Sequence, residues 1–142
     1  MTIEIPENRA GWIKDHMREY LESNGEKGHQ WRGVPTLLLT TTGKKSGNPT
    51  TTPLIYGRDG DRVLVVASKG GAKVHPMWYT NLAANPDVEV QVKDERYSAK
   101  ARAAGPEEKP KLWEAMAGIW PAYNEYQQRT EREIPVVIIE RA

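Results

Sequence analysis

The sequence predicts an α+β fold in which five or six mostly antiparallel strands form a closed or half-closed barrel with flanking helices. Segments 87–94 and 97–103 alternate apolar and polar residues with the period of two that is typical of half-buried strands. Segments 8–24 and 106–120 place apolar residues at helical spacing, and 75–84 also predicts a short helix. Short turn sequences such as RDGD separate the strands, which favours hairpins.

The first predicted helix covers residues 8–24 and is amphipathic. Its apolar face comprises Ala10, Ile13, Met17, Tyr20 and Leu21. The sequence Ser-Asn-Gly at 23–25 supplies a C-terminal stop, and residues 25–33 then predict a loop. We therefore divide the chain, as one domain, into an N-terminal helical segment at 1–25 and a barrel at 34–142.

The strands follow in order along the barrel segment. TLLLTTT at 36–42 and TTTPLIYG at 50–57 are rich in β-branched and apolar residues, and Pro53 marks an edge or a bulge in the second. RVLVVAS at 62–68 follows the RDGD turn, and IPVVIIE at 134–140 predicts a buried closing strand. The predicted core comprises Leu37, Leu39, Val63, Val65, Val88, Val90, Val92, Val136 and Ile138.

Composition restricts the possible functions of this 142-residue chain. A formal net charge of +1 gives no global field that would attract nucleic acid or an anionic membrane, so we expect no nucleic-acid partner. The absence of cysteine excludes disulfides, thiolate catalysis and Cys-based metal sites, and the three histidines are scattered, so we expect no metal. Without a membrane-spanning run, we expect a cytoplasmic protein, and its first helix leaves peripheral attachment to the inner face of the membrane open.

A turn at Gly43–Gly47 is the most distinctive feature, because it places Lys44, Lys45 and Ser46 side by side. The spacing of its glycines does not match a P-loop, so it is not a nucleotide-binding loop of that kind. Exposed amides and two ammonium groups together would suit a guest with several negative charges. The alternative is a solvated hairpin turn with no ligand.

Three further segments could contribute to a binding site. Ser68–Gly71 pairs a hydroxyl and a cation with two glycines that permit close approach of the backbone, although it could simply be a turn. Residues 75–82 present aromatic and polar side chains on about one helical turn, where they could lie along a flat molecule. Tyr123 and Tyr126 share a helical face that Trp120 continues, as a pocket wall or as core. Because no catalytic triad or carboxylate pair is visible, an enzymatic function would need a cofactor.

Taken together, the blocks LLTTTGKKSGNPTTTPLIY, VVASKGGAKVHPMWYTNLAANPDVEVQV and WPAYNEYQQRTEREIPVVIIE resemble the deazaflavin-dependent nitroreductase family of actinobacteria. The resemblance extends from about residue 34 to the C-terminus. It implies a split β-barrel that binds the deazaflavin coenzyme F420 and uses its reduced form as hydride donor. The implied partners are electron-poor small molecules, namely quinones, activated enones or lactones, and nitroaromatics.

The resemblance also implies a role for individual residues. Lys44, Lys45 and Ser46 would hold the phosphate and glutamate tail of the coenzyme. The ring and its neighbouring groups would contact Thr52, Pro53, Leu54, Ile55, Tyr56, Val66, Ala67, Ser68, Lys69, Met77, Trp78, Tyr79, Thr80, Asn81 and Tyr123. Tyr126 would line the acceptor side, with Trp120 nearby, and Ser68 or Tyr126 would be the catalytic donor to the developing oxygen. Nitroimidazole-reducing members carry a tyrosine at the position of Ile55, a difference that changes the acceptor pocket.

Three other functions remain open from the sequence. A split barrel commonly carries flavin mononucleotide, so an FMN-dependent oxidoreductase is one alternative. A non-catalytic deazaflavin-binding protein is a second. A small oligonucleotide-binding barrel is a third, against which the near-neutral charge argues. The oligomeric state is not predicted.

Overall fold

The computed structural model describes residues 11–31 and 33–142. Its helices are α1 (Gly11–Glu22), α2 (Met77–Ala84), α3 (Lys109–Ile119) and α4 (Ala122–Gln128). Its strands are β1 (Gln30–Trp31), β2 (Val34–Thr42), β3 (Pro49–Ile55), β4 (Gly57–Asp59), β5 (Arg62–Val66), β6 (Asp87–Val92), β7 (Glu95–Ala103) and β8 (Val136–Arg141). Residues 8–10 of the predicted first helix, including Ala10, lie outside the described residues.

The strands form one antiparallel sheet in the order β1-β2-β6-β7-β8-β5-β4, with β3 paired to β2. The sheet curls into a split barrel, which confirms the predicted fold class. Sequence patterns missed β1 and β4 because strands of two and three residues are too short to show an alternation. They also predicted no separate fourth helix, although the spacing of Tyr123 and Tyr126 indicated a shared helical face; the structure has α4, seven residues long, after the Trp120–Pro121 break.

The buried apolar side chains of the sheet fall into a cluster inside the barrel and two further clusters, one beneath α3 and α4 and one beneath α1. All nine predicted core residues are buried, but Val136 and Ile138 do not pack with the other seven. They lie in a second cluster with Met116 of α3 and Tyr123 of α4. The barrel interior instead receives Val137 and Ile139, so β8 is buried on both faces. A continuous apolar run is typical of such a strand, and it conceals which side chain faces which core.

Helix α1 packs on the outer face of β2 through Met17 and Tyr20, which contact Leu38. The Tyr20 hydroxyl accepts a hydrogen bond from the Lys93 amide at 2.7 Å and donates to the Thr36 carbonyl at 3.1 Å. Burial raises the pKa of Tyr20 to about 12, which keeps the hydroxyl protonated as a donor. Among the described residues, no helix is both long and apolar enough to cross a membrane.

Candidate functional site

A cleft of about 1040 Å³ opens beside β3 and is closed by α1, the start of α2 and α4. Many residues that the sequence assigned to a binding site lie in its wall. They are Ser46, Thr52, Pro53, Leu54, Ile55, Val66, Ser68, Lys69, Met77, Trp78, Trp120, Tyr123 and Tyr126. The three blocks that are distant in sequence therefore meet at one cavity.

The remaining predicted site residues do not line the cleft: Lys44, Lys45, Tyr56, Ala67, Tyr79, Thr80 and Asn81. Both lysines are exposed in the turn that carries Ser46, a residue of the cleft wall. Tyr56 is buried in the barrel core, and its hydroxyl pairs with Nε2 of His29 at 2.9 Å. The roles that the resemblance implies for these seven residues stay predictions.

The lysine turn between β2 and β3 is held in one conformation by its own backbone. The Gly43 amide donates to the Asn48 carbonyl at 2.7 Å, and the Gly47 amide donates to the Gly43 carbonyl at 2.9 Å. The Ser46 hydroxyl accepts from the Asn48 amide at 3.1 Å. A Cβ at Gly43 would press on the Ser46 hydroxyl, so a larger residue there would require that side chain to rotate away. The turn thus presents both ammonium groups on a preformed support.

Asn81 connects this turn to α2 from a buried position, with only 2% of its surface exposed. Its Oδ1 accepts a hydrogen bond from the Lys44 amide at 2.9 Å, and its Nδ2 donates to Thr41 Oγ1 at 3.2 Å. The side chain therefore stabilises the lysine turn from within the protein. Because Asn81 lies about forty residues from Lys44 and Thr41 in sequence, no local sequence pattern can indicate these contacts.

Ser68 begins a loop in which consecutive residues adopt left-handed backbone angles. The φ angles are +45° at Lys69, +62° at Gly70 and +84° at Gly71. Ser68, Lys69 and Gly70 line the cleft, whereas Gly71 faces α4, where an added Cβ would lie 2.6 Å from the Tyr126 carbonyl oxygen. The glycines therefore permit both the turn and its close contact with α4.

Aromatic side chains form the wall at the α4 end of the cleft. Trp120 Nε1–H donates to the Tyr126 hydroxyl at 3.4 Å, and the rings of Tyr123 and Tyr126 meet edge to face at 6.1 Å. Burial raises the pKa of Tyr123, so this phenol stays neutral. The ring of Trp31, from the short strand β1, lies 5.6 Å from that of Trp120.

Sequence reasoning missed six residues of this wall: Ile13, His16, Trp31, Thr36, Asn48 and Thr50. Gly70 and Pro76 also line it, and both lie in segments that the sequence proposed for the site. The first helix was assigned to a segment separate from the barrel, yet its Ile13 and His16 border the cleft. His16 Nε2–H donates to the Gly28 carbonyl at 2.6 Å, which fixes the ring beside the loop before β1. Ile13 could have been identified from its apolar position on the face of α1. Trp31 could not, because it lay in a predicted loop without a periodic pattern.

The cleft is polar at one end and aromatic at the other. Ser46, Asn48 and Thr50 lie near the β2–β3 turn, whereas Ile55 pairs with Thr36 at the opposite end of the hairpin. Thr50 and Ile55 are five positions apart along the strand, a distance of about 17 Å. Such a cavity fits a flat ring joined to an anionic chain, because aromatic side chains, Lys69 and several hydroxyl groups line the same cleft.

His75 lies behind the cleft and should make the stability of the fold depend on pH. Its Nδ1 accepts a hydrogen bond from Arg132 Nη1 at 3.1 Å, which requires an unprotonated nitrogen. Burial, followed by the nearby Arg132 charge, lowers the pKa of His75 below 6.5. His75 therefore binds a proton more readily in the unfolded chain than in the folded one. The stability that the neutral imidazole contributes is complete above the ordinary pKa of histidine and is lost as the pH falls below it.

Urea unfolding at about pH 7.5 and pH 5.5 measures this effect. We expect a smaller loss on acidification for His75→Gln than for the original chain. An equal loss in both proteins would contradict the assignment to His75. His29, whose pKa is lowered by burial and then by Lys93 and Arg58, supplies a pH dependence that both proteins share.

Comparison with known proteins identifies close relatives. A family model described as F420H(2)-dependent quinone reductase matches residues 12–141. The chain is 45% identical over 133 residues to an F420H(2)-dependent quinone reductase of Mycobacterium tuberculosis (strain ATCC 25618 / H37Rv), covering 91% of this chain and 89% of the relative.

Two solved structures are also similar. One, described as an F420-H2 dependent reductase (FDR-A), has a TM-score of 0.69 and 43% identity, covering 75% of this chain and 94% of its own. The other is described as a domain-swapped dimer, with a TM-score of 0.72 and 38% identity, covering 91% of this chain and 97% of its own.

Proposed function

The chain belongs to the F420H(2)-dependent quinone reductase family, and on this premise we propose that it is an oxidoreductase that reduces quinones with reduced coenzyme F420. The observation that carries the proposal is the meeting of Ser46, Ser68, Lys69 and Trp120 around one cleft beside the lysine turn. These residues come from the three sequence blocks on which the resemblance rests.

The polar end of the cleft would hold the anionic part of the coenzyme. Lys44 and Lys45 would pair with its phosphate and carboxylates, and Ser46 would donate from its hydroxyl. Hydrogen bonds to charged groups contribute about 1.5–3 kcal/mol each. β3 and the Met77–Trp78 side would flank the ring, where Trp78 is nearly buried and Met77 is exposed at the mouth. When bound, reduced F420 supplies the hydride, and the chain supplies position and polar contacts.

The aromatic end would hold the acceptor. Because the Trp120 N–H donates to the Tyr126 oxygen, the phenolic proton of Tyr126 can be directed to another acceptor. That proton suits an oxygen that gains negative charge during reduction. The Ser68 hydroxyl in the cleft wall is the second candidate donor.

Oxidation of reduced F420 by separate quinone, enone and nitroaromatic acceptors tests the function. We expect the greatest kcat/KM with quinones, followed by activated enones and lactones. Poor turnover of nitroimidazoles is expected, because Ile55 gives the wall no phenol at that position. Binding without turnover of any acceptor would make the chain a coenzyme-binding protein, and tighter binding of FMN than of F420 would overturn the proposal.

Replacing Tyr126 with phenylalanine should affect turnover more than coenzyme binding. The ring and its packing against Tyr123 remain, and only the hydroxyl is lost. We expect kcat with a quinone to fall by about a hundredfold, in line with the loss of one donor to a developing charge, while the Kd for F420 changes by less than about twofold.

Tyr97→Phe is the matched control, because Tyr97 lies on β7, has no predicted role in the site and does not line the cleft. It should leave kcat unchanged. A Tyr126→Phe enzyme with the original kcat would assign the donor role to Ser68.

Two properties of the working protein are also proposed. Peripheral attachment to a membrane that contains quinone would need another surface than the apolar face of α1, because Met17 and Tyr20 already pack against Leu38, and cosedimentation with vesicles measures it. A relative described as a domain-swapped dimer supports a test for self-association, by light scattering at several protein concentrations.

A further inference from the structure

Arg132 lies outside the cleft, yet nearly all of its guanidinium donors are directed at the loop that lines it. Nε donates to the Ala72 carbonyl at 2.8 Å, and Nη2 donates to the Ser68 carbonyl at 2.8 Å. Nη1 donates to the Ala67 carbonyl at 3.2 Å and to His75 Nδ1. One planar group thus contacts four points on the segment from Ala67 to His75.

The backbone at Arg132 is itself held in place by α4. Gln127 Nε2 donates to the Arg132 carbonyl at 2.8 Å, and Gln127 Oε1 accepts from the Ile134 amide at 2.9 Å. The guanidinium therefore reaches the loop from a fixed base. A lysine at this position would offer one point charge and could not reproduce the fork of donors.

The carbonyl groups of Ala67 and Ser68 point at Arg132, and this determines where the amides of the same peptide units point. In a trans peptide the C=O and N–H groups point in opposite directions, so the Ser68 and Lys69 amides face away from Arg132. Both residues line the cleft. Within residues 11–31 and 33–142, neither amide donates to an acceptor. A cation on the carbonyl side also polarises each peptide unit, which strengthens its N–H as a donor.

We infer that Arg132 is a positioning residue that directs the Ser68 and Lys69 amides at an anionic oxygen of the coenzyme. The inference rests on the proposed function. The oxygen belongs to the coenzyme's phosphate or to its ring, and both sources share the chemistry of a negatively charged acceptor. Arg132 itself touches neither, because the peptide units stand between.

Binding of F420, followed by fluorescence, tests the inference in the full chain. Arg132→Ala should weaken binding by about tenfold, the effect of losing roughly one hydrogen bond to a charged group. The KM for the quinone, measured at saturating coenzyme, should stay unchanged. Millimolar guanidinium should restore part of the affinity to Arg132→Ala, whereas urea, which is planar but uncharged, should not.

A second ligand locates the oxygen. The riboside of the same deazaflavin lacks the phosphate and glutamates, so a loss confined to F420 places the oxygen on the phosphate. A loss with both ligands places it on the ring. Unchanged affinity for both ligands would overturn the inference, as would an equal change in quinone KM.

Two further variants keep the test decisive if Arg132→Ala unfolds. Arg132→Lys retains the charge and should lose affinity to an intermediate degree, so binding equal to that of the original chain would overturn the inference. Arg129→Ala is the matched control for coenzyme binding, because its hydrogen bond to this loop is a long 3.5 Å contact with the Gly70 carbonyl, and its guanidinium lies over the Tyr126 ring on the acceptor side. If the original chain does not bind F420, the proposed function is refuted. If it binds F420 and the Arg132 variants bind equally well, only the inference about Arg132 is refuted.

Discussion

Replacing Lys44 and Lys45 together with alanine is expected to weaken F420 binding at least tenfold. Each ammonium group would make charge-assisted hydrogen bonds to the tail, and losing one such bond of about 1.5–3 kcal/mol already weakens binding by about tenfold or more. Both side chains are exposed on a turn fixed by Asn81 and by its own backbone, so their removal should not unfold the protein. Titration of coenzyme fluorescence measures the change.

The ionic character of the contact gives this prediction three controls. At high salt the original chain should itself bind less tightly, so the difference between the proteins should narrow. The deazaflavin riboside, which lacks the anionic tail, should bind both proteins equally. Lys100→Ala with Lys111→Ala removes the same charge from residues that do not line the cleft, and this variant should retain affinity. Equal F420 affinity in the Lys44/Lys45 variant would mean that the turn is only solvated.

Gly71→Ala is expected to lower the free energy of unfolding by about 2–5 kcal/mol. A left-handed residue with a side chain costs about 1–2 kcal/mol, and forced overpacking adds about 1–3 kcal/mol. Both conditions hold here, because φ is +84° and the new Cβ would lie 2.6 Å from the Tyr126 carbonyl oxygen. The clash acts on backbone, which cannot rotate away as a side chain can.

The adjacent glycine provides the matched control for Gly71→Ala. Gly70 also has a positive φ, of +62°, but a Cβ added there meets nothing within 4 Å. Gly70→Ala should therefore show only the backbone cost, about 1–2 kcal/mol. Urea unfolding of both variants separates the two effects, and equal losses would refute the proposed contact between this loop and α4. The Gly71 variant should also bind quinone less well, because a displaced α4 carries Tyr126.

The sequence alone predicted the architecture of the fold and most of the residues that line the cleft. Local patterns predicted α1, α2, α3 and the long strands, because each has enough residues to show its period. The resemblance brought Ser46, Ser68 and Tyr126 together, and the structure places all three at one cavity. Their chemical roles still require the experiments described above.

What the sequence could not show depends on contacts between distant segments. No local sequence pattern indicates that the Asn81 side chain forms hydrogen bonds with Lys44 and Thr41. The same is true of the contact between Arg132 and the loop after β5. The short strand β1 is defined only by its pairing with β2, so Trp31 had no pattern of its own. The two burial faces of β8 likewise become distinct only once α3 and α4 are in place.

The position of β8 in the sheet has a consequence for how the protein forms during translation. β8 pairs with β7 on one side and with β5 on the other, although it follows every other strand along the chain. Until residues 136–141 leave the ribosome, the segments carrying β5 and β7 have no shared partner, and both apolar layers that β8 completes stay open to water. Closure of the sheet must then pair β5 with β8, which lie about seventy residues apart in sequence, and contacts between such distant segments form slowly. A nascent chain arrested just before β8 should therefore bind chaperones and resist protease poorly, and release of the last strand should protect the whole sheet at once.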